Sequence, residues 1–432
     1  MGHLVSTVGS LHIPLNFNSF NTLNYDETLD YLYAKLPMYQ RIGTSAFKKN
    51  LTNIISLCEY LGSPEKKFKS IHVAGTNGKG STSHILSSIY QANGYKTGLY
   101  TSPHLIDFRE RIKLNGTPCS KAYVIQFTQK IAPIIEKIQP SFFEITVAMA
   151  FQFFADQQVD VAIIETGLGG RLDSTNIISP LAAIITSIGL DHMEMLGDTK
   201  EKIAREKAGI IKKNTPIILG QIEQPSYEVI TAIAQQQHAP IHDFKKEEFL
   251  TDLQGLHQQW NIGCAMRCVD VLNSELPTKP SKTNLALRDV RTISNFQGRW
   301  QVFHKKPLVI GDVGHNEEGF RMITKEIRKL DKKVHLILGF VQDKNLDLIV
   351  PLLPKAKSYH FVKPKVFRGM DPKKAKEHFG NYGINGVAHN NLHAALHTIY
   401  PTVPKDELIF VGGSNFIIAD LLNLQQNNKL PF

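Results

Sequence analysis

Apolar residues along this chain fall into two patterns that take turns. Continuous runs of strand length stand at Ser70–Ala74, Thr97–Tyr100, Val159–Ile164, Leu181–Thr186 and Pro216–Leu219. Between them, apolar positions recur at helical spacing over Gly80–Ala92, Tyr123–Ile138, Phe143–Ala155 and Asp198–Lys212. An unbroken apolar run is what a parallel strand covered on both faces requires, and the helical recurrence marks the covering layers. Strands alternating with helices predict a doubly wound α/β domain. Ahead of it, helical spacing from Tyr25 to Leu61 is interrupted near Pro37 and Gly43, and residues 1–20 read as an irregular leader.

The stretch Asn273–Leu285 is rich in Pro, Ser, Thr and Lys, which places a boundary between it and Gly298. The alternation then resumes with strands at Leu308–Gly311, Val334–Leu338, Ser358–Phe361 and Leu408–Val411, and helices at Glu317–Leu330 and Phe416–Leu424. A second, smaller α/β domain follows, so the expected division is 1–296 and 297–432. A length of 432 residues is too great for one ordinary core.

With 42% apolar and 20% charged residues, the composition is that of a packed protein rather than a disordered one. No apolar run has the length of a bilayer span, and no basic start with an apolar core opens the chain, so neither a membrane role nor a secretory signal is expected. Cys58, Cys119, Cys264 and Cys268 form no disulfide framework. Cys264 and Cys268, one helical turn apart, read as buried thiols rather than a metal pair, and a reducing cytoplasm is the expected setting. The net charge of +10 is uneven: residues 1–298 hold 29 basic and 27 acidic residues, residues 299–432 hold 20 and 12. A basic C-terminal third suits an anionic partner. Its lysines are scattered rather than interleaved with aromatics, which favours a polycarboxylate substrate over nucleic acid.

One turn carries chemistry. Residues 71–74 run as a strand into Gly75, Thr76, Asn77, Gly78, Lys79, Gly80 and Ser81, and a helix leaves from there. Glycines let backbone N–H groups approach phosphate oxygens, and a helix N-terminus adds its dipole. Lys79 is placed to reach the outer phosphates of ATP as a mobile cation. The strict P-loop spacing is not met: Val73 stands where it requires glycine, and Gly80 where it requires Ser or Thr. Glu165 ends the run Val159–Ile164, at the carboxyl end of a buried strand, where doubly wound sheets place ligands. It reads either as a Mg²⁺ ligand or as a capping carboxylate. His192 follows Leu181–Thr186 closely enough to face the same crevice.

The run VAGTNGKGST, Val73–Thr82, resembles the phosphate loop of the Mur ligase superfamily, most of all its folylpolyglutamate synthase/dihydrofolate synthase branch. The segments LPMYQRIG at 36–43, YTSPH at 100–104, RER at 109–111, ETGLGGRLDSTN at 165–176, GLDHME at 189–194 and AREKAGIIK at 204–212 agree with it. The likeness extends from about Tyr25 to the C-terminus.

That resemblance implies an ATP-dependent amide ligase in which a folate or dihydropteroate carboxylate forms an acyl phosphate that L-glutamate attacks. It implies Mg²⁺ held by Ser102, Glu165 and His192, and an N-carboxylated (carbamylated) Lys207. Asn261, in LHQQWN at 256–261, resembles the asparagine that meets adenine; the segment also reads as a plain helix start. Arg299, in QGRW at 297–300, resembles the arginine that reaches the phosphates from the second domain. DVGHN at 312–316 matches the family's Asp-x-x-His-Asn turn, which assigns Asp312 to nucleotide and His315 to glutamate. Gly314 and Glu317 depart from its usual alanine and proline. The loop 339–344 contains Asp343 and Lys344, as in the family's second domain, and Ser414 resembles a contact near the glutamate site. Phe143 and Asp173 resemble positions lining the pterin pocket. A monomer is the state the family implies. A peptidoglycan-type Mur ligase and a nucleotide-gated anion-binding protein are the rival readings.

Overall fold

The computed structural model describes residues 23–35, 50–342 and 344–432. The expected leader at 1–20, the interruption near Pro37 and Gly43, the segment 36–43 and Asp343 lie outside the described residues.

Two sheets organise the chain. The first contains β1 (Ser70–Ala74), β2 (Thr97–Tyr100), β3 (Ile112–Leu114), β4 (Thr117–Pro118), β5 (Val161–Glu165), β6 (Ala182–Ser187), β7 (Ile217–Gln221) and β8 (Ile241–Asp243), in the order β4-β3-β2-β5-β1-β6-β7-β8. The six strands from β2 to β8 in that order run parallel, and β3 and β4 add an antiparallel edge. β1 lies between β5 and β6 with every residue buried. Its successors lie on opposite sides, so a crevice opens beyond its carboxyl end, where β5 and β6 also finish.

Alternation along the strands divides the core. Ile71, Val73, Val161 and Ile163 pack with Ile85, Leu86 and Ile89 of the helix Lys79–Asn93, while Ala162 and Ile164 face Phe151 and Phe154 of the helix Phe142–Asp156 on the other side.

The second sheet contains β9 (Gln301–Lys305), β10 (Leu308–Asp312), β11 (Val334–Leu338), β12 (Ser358–Val362), β13 (Val387–His389) and β14 (Leu408–Gly412), in the order β13-β12-β11-β14-β10-β9. Only β9 is antiparallel. The carboxyl ends of β10, β11 and β14 therefore share one rim.

The Pro-, Ser-, Thr- and Lys-rich stretch ahead of the boundary is partly helical, over Pro280–Leu287. Thr283, Ala286 and Leu287 are buried there, and Asn93 Nδ2 donates to Thr283 Oγ1 at 3.3 Å. The helix expected over Asp198–Lys212 spans Lys200–Ala208. Thr199 caps its start at Lys202 N (3.3 Å), and it ends at Gly209, where a Cβ would strike the backbone of Arg171. The short strands β3, β4, β8, β9 and β13 were not expected. β4, β8, β9 and β13 are edge elements without a buried residue, and β3 is a three-residue strand just inside β4, so no continuous apolar run marks them.

Phe154 is fully buried, with its ring 5.8 Å from that of Phe68 and its edge filling the space over Gly98. Phe154→Ala is expected to cost about 3–5 kcal/mol in urea unfolding of the first domain, the usual range for an aromatic removed from a packed core. A loss below about 1 kcal/mol would contradict this packing.

Candidate active site

The crevice beyond β1 is built around the phosphate loop. Gly78 takes a left-handed φ of 87°, which glycine adopts freely, and a Cβ there would run into the Asn261 side chain. Asn261 is thus seated against the loop, with its Nδ2 donating to Gln258 Oε1 at 3.0 Å. β6 holds the loop from the side. Thr186 Oγ1 donates to Asn77 O at 2.6 Å, Asn77 N donates to Ser187 Oγ at 3.0 Å, and Gly189 N donates to Thr76 Oγ1 at 3.0 Å. Lys79 folds back, its Nζ donating to the carbonyls of Gly75 (3.0 Å) and Thr76 (3.3 Å). Ser81 is buried in the first turn of the helix.

Glu165, the last residue of β5, is buried, and its Oε2 accepts from Ser102 N at 2.9 Å. A Cβ on Gly80 would lie 3.7 Å from its Oε1, so the carboxylate adjoins the loop. Burial pushes its pKa up to about 7, against the pull of Lys79, the Ser102 N–H and Arg299. His192 lies just after β6 with φ 50°, its Nε2 3.9 Å from the Asp191 carboxylate. Burial lowers its pKa, Asp191 opposes, and Lys344, Lys79 and Lys207 act with burial. Among the described residues no group of three or more His, Cys, Asp or Glu side chains is arranged to hold a metal. Ser102 and Glu165 do meet.

Lys207 is not a surface lysine. It is buried beneath the loop, and its Nζ donates to Gly75 O at 2.8 Å. Burial, then the nearby charge of Lys79, brings its amine down to about 7.

The second sheet faces this crevice with its rim. Asp312, at the end of β10, spends both oxygens on backbone, accepting from Trp300 N and Gly314 N at 2.7 Å each. Arg299 lies beside this turn, and its charge acts on Glu165 and His315. His315 Nδ1 donates to Val313 O at 3.0 Å, which leaves Nε2 as the acceptor. Burial and Lys344 bring its pKa down to about 4, so the ring is neutral at pH 7.

Four residues without a sequence-derived role tie the two halves together. Asn316 Nδ2 donates to Asn77 Oδ1 (3.1 Å) and Asp191 Oδ2 (3.2 Å), and Asn77 Nδ2 donates to Glu318 Oε2 (2.9 Å). Lys344 Nζ stands 3.8 Å from Asp191. Burial opposes ionisation of Asp191, yet His192, Lys344 and His315 hold its carboxyl below the usual carboxylate range. Asp191, Asn316 and Lys344 stood inside quoted motifs; Glu318 carried no signal.

Of three expected substrate residues, Phe143 differs from the other two. Phe143 packs its ring on Gly167, 6.4 Å from the ring of Tyr100, and is partly exposed while Phe142 is buried. Asp173 is buried and fully engaged, accepting from Leu168 N (2.7 Å), Thr175 N (3.0 Å) and Thr175 Oγ1 (2.6 Å). These bonds clamp its own loop. Ser414 likewise caps the helix Asn415–Gln426, accepting from Ile417 N and donating to Gly339 O at 2.8 Å, so its hydroxyl shapes the rim rather than standing free for a ligand.

Residues 73–286 match the Mur ligase middle domain and residues 298–415 the Mur ligase glutamate ligase domain, so fold and site together define a Mur-type ligase. The dihydrofolate synthase/folylpolyglutamate synthase of Bacillus subtilis is 32% identical over 92% of this chain and 98% of that protein. A structure of E. coli FolC in complex with DHPP and ADP covers 94% of this chain and 99% of its own, with a TM-score of 0.82 at 26% identity. The Mycobacterium tuberculosis folylpolyglutamate synthase complexed with ADP and AMPPCP gives a TM-score of 0.82 at 27% identity, covering 93% and 99%. The chain belongs to the dihydrofolate synthase/folylpolyglutamate synthase family.

The two departures from the family turn have local causes. A Cβ on Gly314 would lie 2.6 Å from Ile323 Cδ1. Glu317 opens the helix Glu317–Lys329, where its charge suits the dipole, and it pairs with Arg321 at 2.8 Å. Gly314→Ala alone is expected to destabilise the second domain by about 1–3 kcal/mol through overpacking. Adding Ile323→Val should recover most of that loss. Equal and additive effects of the two changes in thermal unfolding would rule out the contact.

Proposed function

We propose that the protein joins L-glutamate to the carboxylate of dihydropteroate, of a reduced folate, or of both, consuming ATP with Mg²⁺. The observation that carries this reading is the meeting of the phosphate loop, Glu165 and the Asp312–Asn316 turn, each from a different strand end, two from the first sheet and one from the second. Nucleotide would lie along Gly75–Ser81 beside Asn261, and the pterin ring against Phe143. The proposed division into 1–296 and 297–432 puts Arg299 at the start of the second unit.

In the first step a carboxylate oxygen attacks the γ-phosphorus, the bond to ADP breaks, and an acyl phosphate forms. In the second, the glutamate amine attacks the acyl carbon and inorganic phosphate leaves. Lys79, released from its loop carbonyls, would follow the transferred phosphoryl group, and Arg299 would face it from the other side. Such steps need positioning and charge neutralisation more than covalent help from the protein.

The residues fit Mg²⁺. One buried carboxylate with a hydroxyl suits an ion that uses few protein oxygens and takes its other ligands from phosphates and water. Ser102, Glu165 and His192 would hold it, and it supplies neutralising charge when bound. The basic second domain suits an anionic small-molecule substrate, and a monomer in the cytoplasm is the proposed setting.

Lys79→Ala is expected to lower ADP release by about 10²–10³-fold, as for loss of one preorganised donor, with an unchanged melting curve. The assay pairs dihydropteroate, tetrahydrofolate or a muramyl peptide with and without glutamate. Near-normal ligation by the variant refutes the loop's role; turnover with the muramyl peptide alone would favour the peptidoglycan reading, and nucleotide binding without glutamate-dependent ADP release the binding-protein reading.

Lys207 would carry a carbamate, formed when the neutral amine adds CO₂ and loses a proton. With its pKa near 7, the reactive neutral form grows as pH rises through that value. With ¹³C-bicarbonate, a carbamate resonance should strengthen from about pH 6 to 8 and vanish in Lys207→Arg. A free amine under saturating CO₂ would end this reading.

A further inference from the structure

Glu318, the second residue of the helix Glu317–Lys329, reaches into a notch of the first domain. Its Oε2 accepts from Asn77 Nδ2 at 2.9 Å. Gly189 forms the facing wall, where a Cβ would run into the carboxylate. Thr76 Oγ1 accepts from Gly189 N (3.0 Å), which fixes that wall to the phosphate loop.

This carboxylate has no counter-ion among the described residues. The charges around it are already engaged: Glu317 pairs with Arg321 at 2.8 Å, and Lys200 with Glu223 at 3.3 Å. No described residue donates a hydrogen bond to Oε1. Burial pushes the carboxyl above the usual carboxylate range; Glu223 and Glu317 act in the same direction, and Asn77 and Lys200 oppose. A partly buried carboxylate without a cation is costly, and it attracts one.

The notch adjoins the loop beside which an acyl phosphate would form, and the second reactant of that step is an organic cation. We propose that Glu318 binds the α-ammonium group of the incoming L-glutamate and accepts its proton, an inference that rests on the ligase reading. The ammonium becomes a neutral amine and Glu318 a carboxylic acid. The nitrogen lone pair then forms the C–N bond, the acyl C–O bond breaks with its electron pair on phosphate, and the second N–H proton leaves with phosphate.

The test is Glu318→Gln, which keeps the size of the side chain and an oxygen for Asn77. KM for L-glutamate is expected to rise roughly 10–100-fold, the worth of one charge-assisted hydrogen bond. KM for ATP and for the folate carboxylate should stay within about twofold, and acyl phosphate trapped with hydroxylamine before glutamate is added should be undiminished. Glutarate, which lacks the amine, should inhibit parent and variant equally. An unchanged KM for glutamate, or a KM for ATP that rises in parallel, overturns the proposal and leaves Glu318 as a strut for Asn77. If the unaltered chain releases no ADP with any folate carboxylate, the ligase reading fails first; normal parent turnover with an indifferent variant sinks Glu318 alone.

Discussion

The backbone of Asn77 is held on both sides by β6: its carbonyl accepts from the Thr186 and Ser187 hydroxyls, and its amide donates to Ser187. That fixed backbone sets where the side chain starts, and its hydrogen bonds to Asn316 and Glu318 carry it across the crevice. The same fixed loop presents the Gly75 carbonyl to two lysines, Lys79 from above and Lys207 from beneath. Loop, lysines and inter-domain contact therefore share one origin in the hydroxyl pair that ends β6.

Electrostatics at the cleft follow from burial as much as from charge. Glu165 and Lys207 sit in the same dry region and are both drawn toward neutrality, one upward and one downward, to about 7. Asp191 is less buried than either and is held below the usual carboxylate range by His192, Lys344, His315 and Asn316. Three ionisable groups within one crevice thus differ in protonation behaviour through burial and neighbours together.

Much of the fold was legible because parallel strands buried on both faces leave unbroken apolar runs; β1, β2 and β11 coincide with their expected bounds. The edge strands left no such trace, and neither did the helix Pro280–Leu287, whose polar composition hides three buried positions. At the site, glycine spacing and motif resemblance located the loop, Glu165 and Lys207. Composition could not reveal that Asp312, Asp173 and Ser414 are occupied by backbone groups, since a capping carboxylate and a ligand-binding one are the same residue type. Nor could it find Glu318, whose place depends on how the second sheet is set against the first.

Arg291 donates to the carbonyl of Arg299 at 2.6 Å from the first domain's side, while Asp312 grips the amide of Trp300 from the second. Both grips fall on one planar peptide group, so each domain holds the same rigid unit from its own side. In a lever so mounted, Arg299 stands at the fulcrum and Asn316, Glu318 and Lys344 at the tip of the arm. A rotation about that shared peptide would displace Asn316, Glu318 and Lys344 more than Arg299, so their contacts to Asn77 and Asp191 would be the first to part.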